Sequence, residues 1–566
     1  MDLLYEPLKF YNQFGKSSHE ENCKQLFEDL VSKSGINKLE NKNTVKEYNY
    51  QLSIIDKIGK TISRNKGLRV FSIILIVLSS LISIFTAVSN LWLYFALSLV
   101  LSISLLLLIF LVLNKNIKSA TKKHEIHQQK ADELLKKAHS QMLPLNALFD
   151  EKMTLRLIEK TLPCIKFNER FTKAQEKFFI SNHDFIDLQK ENCSMLDTLS
   201  GTINENPFVF CRRLVQEERD HVYHGSKVIS WTETYRDSNG RLRTRTRTQT
   251  LHASLVKPEP CYNHHTYLAY GNQAAPDLTF TRTATHVDDL SEGQLARKIR
   301  KGKRKLNKQA KKALAKGENF QEMTNTEFDV LFGATDRNHE VQFRLMYTPL
   351  GQRNTVDLLK DNVNYGDDFS FEKLKRFNVI TSEHAQHWKM STHPIAYQSY
   401  DFEAIEKNFI GFNNEYFKSV FFDFAPLLCV PAYHEEPSAS MEEFDDYDSN
   451  YTYYEHEILA NVLGDKHFEH EDSKTPCILK TSVNAKNDKI DSVSVKANSF
   501  ATINRVDFVP VLGGDGRMHP VPVPWIEYVP VNKTTVMSVS DLPTKNENIS
   551  SVSSVYYHGL YATPIK

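Results

Sequence analysis

Hydrophobic and polar positions follow a helical period in the first third of this chain and an alternating one later. One stretch between them has no polar face at all. Leu68 to Leu113 reads LRVFSIILIVLSSLISIFTAVSNLWLYFALSLVLSISLLLLIFLVL, without Asp, Glu or Lys, and its single Arg, Arg69, stands at the margin. A bilayer core takes about 20 apolar residues per helix, and this run is roughly twice as long. It breaks at Ser89-Asn90, which predicts a tight hairpin of two spans, 69–89 and 91–113, with both chain ends on one side. Being internal and double, the stretch is unlike a signal peptide. Lys57, Lys60, Arg64, Lys66 and Arg69 precede it, and Lys115, Lys118, Lys122 and Lys123 follow it. Cationic flanks stay cytoplasmic, so both soluble parts and both termini are expected on the cytosolic face of a cell inner membrane.

Before the hairpin, Ser18-His19-Glu20-Glu21 has the form of a capping box, and Cys23, Leu26, Phe27, Leu30 and Val31 fall on one helical face ending at Gly35. Asn43-Thr44 can cap a second helix carrying Tyr48, Leu52, Ile55, Ile58 and Ile62. After the hairpin, Lys115 to Gln141 has only a thin apolar stripe, which predicts packing on one partner: the helix entering the first span, or a second copy in a coiled coil. Pro144 and Pro163 punctuate further helices at about 145–161 and 166–180, with another running to about 198.

Near Asn206-Pro207 the period turns alternating. Lys227–Tyr235 and Arg241–Val256 flank Asp237-Ser238-Asn239-Gly240, a strong hairpin signal. Arg241, Arg243, Arg245 and Arg247 share one strand face, with Thr244, Thr246, Thr248 and Thr250 on the other. Like charges in a row on a strand are unfavourable unless solvated or met by acids or phosphates. A second short pair is expected at Thr266–Ala269 and Leu278–Thr281. Farther on, Glu340–Tyr347 reads as a strand, Pro349–Asp361 as a helix, and the aromatic Phe409–Tyr433 as β-like. Val506–Val531, with Pro510, Pro520, Pro522, Pro524 and Pro530, reads as an edge or extended segment with a Gly513–Gly516 turn, and Val555–Tyr557 as a last strand.

The net charge is +1, so no global field favours nucleic acid, but charge is unevenly placed. Gln294–Gly317 holds eleven Lys or Arg and no acid, on a helical pattern that Gly302 weakens. Arg297, Lys298, Arg300, Lys301, Lys303, Arg304 and Lys305 crowd its first half. Three readings compete: contact with anionic lipid, contact with nucleic acid phosphates, and a solvated helix pairing with the acidic Glu435–Asp472. Its apolar face is too poor in large residues to insert in a bilayer by itself. Within the acidic segment, Asp446, Asp448, Asn450, Thr452 and Glu457 follow calcium-loop spacing, but Tyr451 stands where the sharp turn needs Gly. That favours a solvated acidic loop.

The seven scattered Cys form no CxxC pair, which fits a reducing cytosol. Histidines recur three apart at His384/His387, near His393, and at His467/His470, with a third cluster at His264-His265. The zinc-protease order is absent, as are phosphate-cradling and nucleophile-elbow motifs, so no cofactor is expected and enzyme activity is disfavoured.

Glu327–Phe377, with Phe328, Phe332, Asp336, Gln342, Arg344, Thr348-Pro349, Leu358-Leu359, Phe369 and Phe371, resembles a domain of unknown function in uncharacterised bacterial membrane proteins that carry a transmembrane hairpin. The resemblance implies a bacterial membrane protein and assigns no activity or site.

The expectation is an α+β membrane protein with a two-helix transmembrane hairpin, a cytosolic helical stalk and a β-rich cytosolic head. Its order is a helical segment (1–67), the hairpin (68–113), the stalk (114–205), a β-hairpin region with the basic helix (206–320), an α+β head (321–540) and a tail (541–566). The expected function is a membrane-anchored binding or scaffold protein that recruits a cytosolic protein, with self-association as a further expectation. A membrane-tethered hydrolase or nuclease, and a nucleic-acid-binding protein acting through the basic helix, are the alternatives.

Overall fold

The computed structural model describes residues 5–88, 91–185, 190–236, 240–317, 320–387, 390–434, 450–487, 490–541, 555–557 and 559–565. The Ser89-Asn90 break, Asp237-Ser238-Asn239 and the acidic Glu435–Asp448 lie outside the described residues.

In chain order the helices are α1 (Pro7–Phe10), α2 (Lys16–Ser34), α3 (Lys38–Val88), α4 (Trp92–Leu107), α5 (Asn114–Asn146), α6 (Met153–Thr161), α7 (Lys173–His183), α8 (Glu292–Lys316), α9 (Thr326–Phe332), α10 (Glu340–Met346), α11 (Pro349–Leu359), α12 (Glu383–His387), α13 (Phe402–Leu428) and α14 (Tyr453–Leu463). The strands are β1 (Ile165–Phe167), β2 (Cys193–Ile203), β3 (Asn206–Arg236), β4 (Leu242–Gly271), β5 (Thr279–Arg282), β6 (Phe369–Leu374), β7 (Phe377–Ser382), β8 (Ile478–Asn487), β9 (Ile490–Leu512), β10 (Met518–Ser540), β11 (Val555–Tyr557) and β12 (Leu560–Ile565). Helices and strands occupy largely separate stretches, so the fold is α+β. The chain divides into two compact units: Ser17–Leu157 with Thr392–Tyr416, and the described residues of Met1–Lys16, Ile158–Ser391 and Phe417–Lys566.

The first of these units is helical. Gly35, at φ 62°, ends α2, and α3 then runs unbroken for 51 residues. A π-helical turn, Leu108–Leu113, joins α4 to α5. Two helical stretches, Lys38–Phe85 and Trp92–Asn146, are long and apolar enough to cross a membrane. In the most apolar window of each only 17% is buried, whereas a core helix of a soluble unit is mostly covered. Ser79 bonds Ser102 (Oγ–Oγ 2.7 Å) and Ser83 bonds Ser98 (2.6 Å), tying α3 to α4. On the polar side α5 packs along α3, as the thin stripe predicts. His127 Nδ1 meets Gln51 Oε1 (2.8 Å), and Gln141 Nε2 donates to Glu40 Oε1 (3.0 Å) and Thr44 Oγ1 (3.2 Å). The core gathers Phe27, Leu30, Met142, Leu145, Phe149, Tyr397, Phe402 and Phe409. Asn41 fixes the start of α13 there, donating to Tyr400 O (3.0 Å) and accepting from Phe402 N (3.0 Å).

The second unit holds two antiparallel sheets, ordered β1-β2-β3-β4-β7-β6-β5 and β11-β12-β10-β9-β8. Helix α14, capped by Thr452 with Glu455 reaching back (Thr452 N to Oε2, 2.8 Å), packs between β2 and β8. Two hairpins dominate. β3 pairs β4 from Phe208↔Tyr270 to Arg236↔Leu242, far longer than the Lys227–Val256 region legible in the sequence. β9 pairs β10 from Met518↔Leu512 to Ser540↔Ile490 around a Gly513–Gly516 turn, where Gly516 takes φ 76°. Their arms close face to face over Ile229, Leu251, Ala253, Val521 and Val523. The approach is so tight at Gly225 that any Cβ would overlap Pro522 O. Because β12 covers β10 only from Val536 onward, the proline half of β10 remains an edge, where a missing N–H costs no ladder bond.

The structure corrects several expectations. Ser18 lies inside α2 and Thr44 inside α3, where its Oγ1 returns to Glu40 O (3.0 Å), so neither starts a helix. Where a helix is expected to run to about 198, residues 193–198 belong to strand β2, and 166–180 splits into β1 and the later α7. Thr266–Ala269 belongs to β4, while β5 pairs with β6. Glu340–Tyr347 is not a strand but α10: Val341 and Leu345, which created the alternation, are exposed, and Glu340, Phe343 and Met346 form the buried helical stripe. Phe409–Tyr433 is not β-like but lies mainly in α13, whose aromatics, Phe412 apart, are buried at helical spacing.

Candidate functional site

The basic stretch is the helix α8. Gln294 Oε1 accepts from Ser291 N (3.0 Å) at its start, and Gly317 at φ 71° closes its end. The side facing the protein carries Ile299, Gly302, Leu306 and Ala313, with Leu306 and Ala313 buried. Gln309 Nε2 donates to Thr335 O (2.9 Å), and the half-buried Lys298 donates to Thr285 O (3.2 Å). Burial, then Arg282, hold the Lys298 ammonium below the usual lysine range. At 3.6 residues per turn the opposite side is cationic throughout: Arg297, Arg300, Lys301, Arg304, Lys308, Lys311 and Lys312. Lys303 and Lys305 flank it. These nine are exposed, and none forms an ion pair with a described residue.

Gly302, which weakens the helical pattern in the sequence, has a packing reason. Helix α9 comes so close that a Cβ there would overlap Val330 Cγ1. Ala at a helix interior gains about 1 kcal/mol over Gly, while overpacking costs about 1–3 kcal/mol. Gly302→Ala is therefore expected to lower the melting temperature and speed amide exchange along α8, and a further Val330→Ala to restore both. A Gly302→Ala chain more stable than wild type would mean that α9 is not seated on Gly302.

The entry to α8 is fixed from below. Asp367, fully buried, pairs with the Arg282 guanidinium, and its Oδ2 accepts from Thr285 Oγ1 (2.8 Å), Val287 N (3.0 Å) and Thr285 N (3.3 Å). One carboxylate thus pins the segment leading from β5 into the helix. Around it lies an aromatic core of Phe280, Phe328, Phe332, Phe343, Tyr347 and Phe371. The residues that carried the resemblance over Glu327–Phe377 have structural work there. Phe328, Phe332, Phe369 and Phe371 are buried, Asp336 accepts from Thr281 N (3.0 Å), and Thr348 caps α11 ahead of Pro349.

Arg241, Arg243, Arg245 and Arg247 lie at the end of the β3–β4 hairpin, on a different element from α8. The β9–β10 turn reaches Gln249 (Gly514 N to Oε1, 2.7 Å) and Trp231, and the hairpin continues past it by about five residues, roughly 17 Å at 3.4 Å each. The arginine face is thus the clasped face beyond its cover. Glu233 sits in it, directly opposite Arg245 and bonded to Arg245 (3.0 Å) and Arg247 (2.5 Å). The tip neutralises part of its own charge. The sequence pattern missed this because Glu233 and the arginines meet only across the turn.

Among the described residues the histidine clusters do not converge. His393 caps the turn at Pro394, His470 accepts from Asp472 N (3.2 Å), and the His387 side chain is outside the described residues. Among the described residues no three His, Cys, Asp or Glu are placed to hold a metal ion. Of the calcium-loop positions, Thr452 caps α14 and Glu457 is bound to Lys480 (2.6 Å) and Met195 N (2.8 Å).

His384 forms a cluster that spacing did not foretell. Nδ1 meets Asp368 Oδ2 (2.5 Å), while Nε2 faces Ser419 O (3.2 Å) and Asp423 Oδ1 (3.5 Å). Tyr365 stacks on the ring at 4.0 Å. Both ring nitrogens face acceptors, so both carry hydrogen and the ring is an imidazolium. Burial alone would lower its pKa, but Asp423 and Asp368 together push it up to about 10. With a side chain 6% exposed, it is a closed ionic lock rather than a substrate site.

No known protein family matches the chain, and no match was found among curated proteins or solved structures.

Proposed function

We propose that the chain is a membrane-anchored binding protein whose α8 presents a cationic surface to an anionic partner on the cytosolic side of a bacterial inner membrane. The apolar, uncovered stretches of α3 and α4 are the anchor, and the lysines and arginines beside them set the orientation. The observation that carries the reading is the outward face of α8: nine cations without an ionic partner among the described residues, on a helix docked by its opposite side. A helix solvated for its own sake does not need that rigid seat. An acidic protein segment is the partner this face suits best. Nucleic acid is the competing occupant, because phosphates suit the same charges.

The test uses full-length protein in detergent and compares wild type with Arg304→Gln, Lys308→Gln, Lys311→Gln and Lys312→Gln combined. Co-purifying material is identified at low and high salt, with and without nuclease. A nuclease-resistant protein partner lost in the variant and weakened by salt supports the reading. Partners retained unchanged by the variant would sink it. Material removed by nuclease would transfer α8 to nucleic-acid binding.

A further inference from the structure

Where α3 and α5 run side by side just outside the apolar stretches, they leave a cleft of about 440 Å³. Lys57, Arg64, Asn65, Asn116, Ser119 and Lys123 line it. Its chemistry is unbalanced. From Lys57 to His124 the chain holds nine Lys or Arg and no Asp or Glu. Lys60 has Asp56 as partner (2.6 Å), but Lys57, Arg64 and Lys123 have no ionic partner among the described residues. The side chains of Asn65, Asn116 and Ser119 make no hydrogen bond to described residues, although Asn65 is buried. The cleft therefore offers positive charge, amide and hydroxyl donors, and no competing acid. That set suits a phosphate.

Depth decides which phosphate. Asn65 and Arg64 stand three and four residues before Leu68, and Asn116 and Ser119 three and six after Leu113. At 1.5 Å per residue these groups lie about 5–9 Å beyond the apolar stretches, while Lys57 and Lys123, eleven before Leu68 and ten after Leu113, lie about 15–17 Å beyond. The polar layer of a bilayer leaflet is about 5–8 Å thick. We propose that this cleft binds the phosphate of an anionic phospholipid headgroup, held by Arg64 with Asn65, Asn116 and Ser119 donating, and closed on its outer side by Lys123, whose position on α5 leans its side chain toward the helix N-terminus and so toward the bilayer. The proposal rests on the anchored reading above. It concerns a different surface from α8, and it places a specific lipid against the helix pair rather than a diffuse charge on the leaflet.

The experiment reconstitutes the full chain into vesicles of phosphatidylcholine, alone or mixed with phosphatidylglycerol. Flotation reports insertion, and native mass spectrometry after gentle delipidation reports the lipids retained. Wild type is expected to float with both vesicles and to retain phosphatidylglycerol preferentially. Arg64→Gln with Lys123→Gln, both exposed positions, should float equally with phosphatidylcholine and lose the preference about thirtyfold. A chain with Lys308, Lys311 and Lys312 changed to Gln should keep it. Absence of flotation with either vesicle overturns the anchored reading and this site with it. Flotation without phosphatidylglycerol preference, or a preference that survives in the cleft variant, overturns the site alone. Delipidated protein in detergent is also titrated with inorganic phosphate. Tight binding there without lipid preference assigns the cleft to a soluble phosphate and overturns the lipid assignment.

Discussion

Asp367→Ala is expected to destabilise the protein by about 3–5 kcal/mol, the range measured when one partner of a buried ion pair is removed. The Arg282 guanidinium would be left buried without its counter-charge, and Thr285 and Val287 would lose their shared acceptor. The loss should spread into α8. With the segment from Arg282 to Ser291 no longer pinned, amide exchange in α8 should rise even at temperatures where the rest of the unit remains folded. Asp367→Asn keeps the shape and removes the charge, so it should retain only a small part of the stability. Denaturant titration of the detergent-solubilised chain, read with exchange over α8, measures both effects. A wild-type midpoint in Asp367→Ala would show that Arg282 finds another partner and that the α8 seat does not depend on this carboxylate.

The second large effect is set by pH. His384 is held protonated, its pKa raised to about 10 against 6.5 in an unfolded chain. A raised folded pKa means that the folded state binds the proton more tightly. The stability this supplies is complete below pH 6.5 and falls away as pH rises through about 10. The difference in unfolding free energy between wild type and His384→Gln isolates this contribution from the titration of lysines and tyrosines. It should amount to several kcal/mol near neutral pH, then shrink steadily above pH 7 and level off beyond pH 10. The variant also leaves Asp368 and Asp423 close together without a cation between them. A difference that stays flat from pH 7 to pH 10 would mean that His384 is neutral in the folded protein.

What the sequence disclosed follows from the range of the interactions. The apolar run from Leu68 to Leu113 was legible because each residue carries the signal independently, and α8 because its charge is local. The β3–β4 hairpin was legible around its turn, where one face is wet. It was not legible from Asn206 to Cys211, where both faces are buried and the alternation vanishes. Glu340–Met346 failed for the opposite reason: exposed Val341 and Leu345 imitate a strand that the burial of Phe343 and Met346 contradicts. Gly302 looked like a flaw and is a contact. The His384 lock was invisible because Asp368 and Asp423 lie 16 and 39 residues away, one on each side, and nothing local announces their meeting.

Helix α3 has a mechanical consequence. Its 51 residues include no proline, and at about 1.5 Å per residue they make a rod of roughly 75 Å. One end is the uncovered apolar stretch; near the other, Asn41 grips Tyr400 and Phe402. On the anchored reading, a tilt of the apolar end is carried to that grip along the paired α3 and α5 rather than lost in a flexible joint.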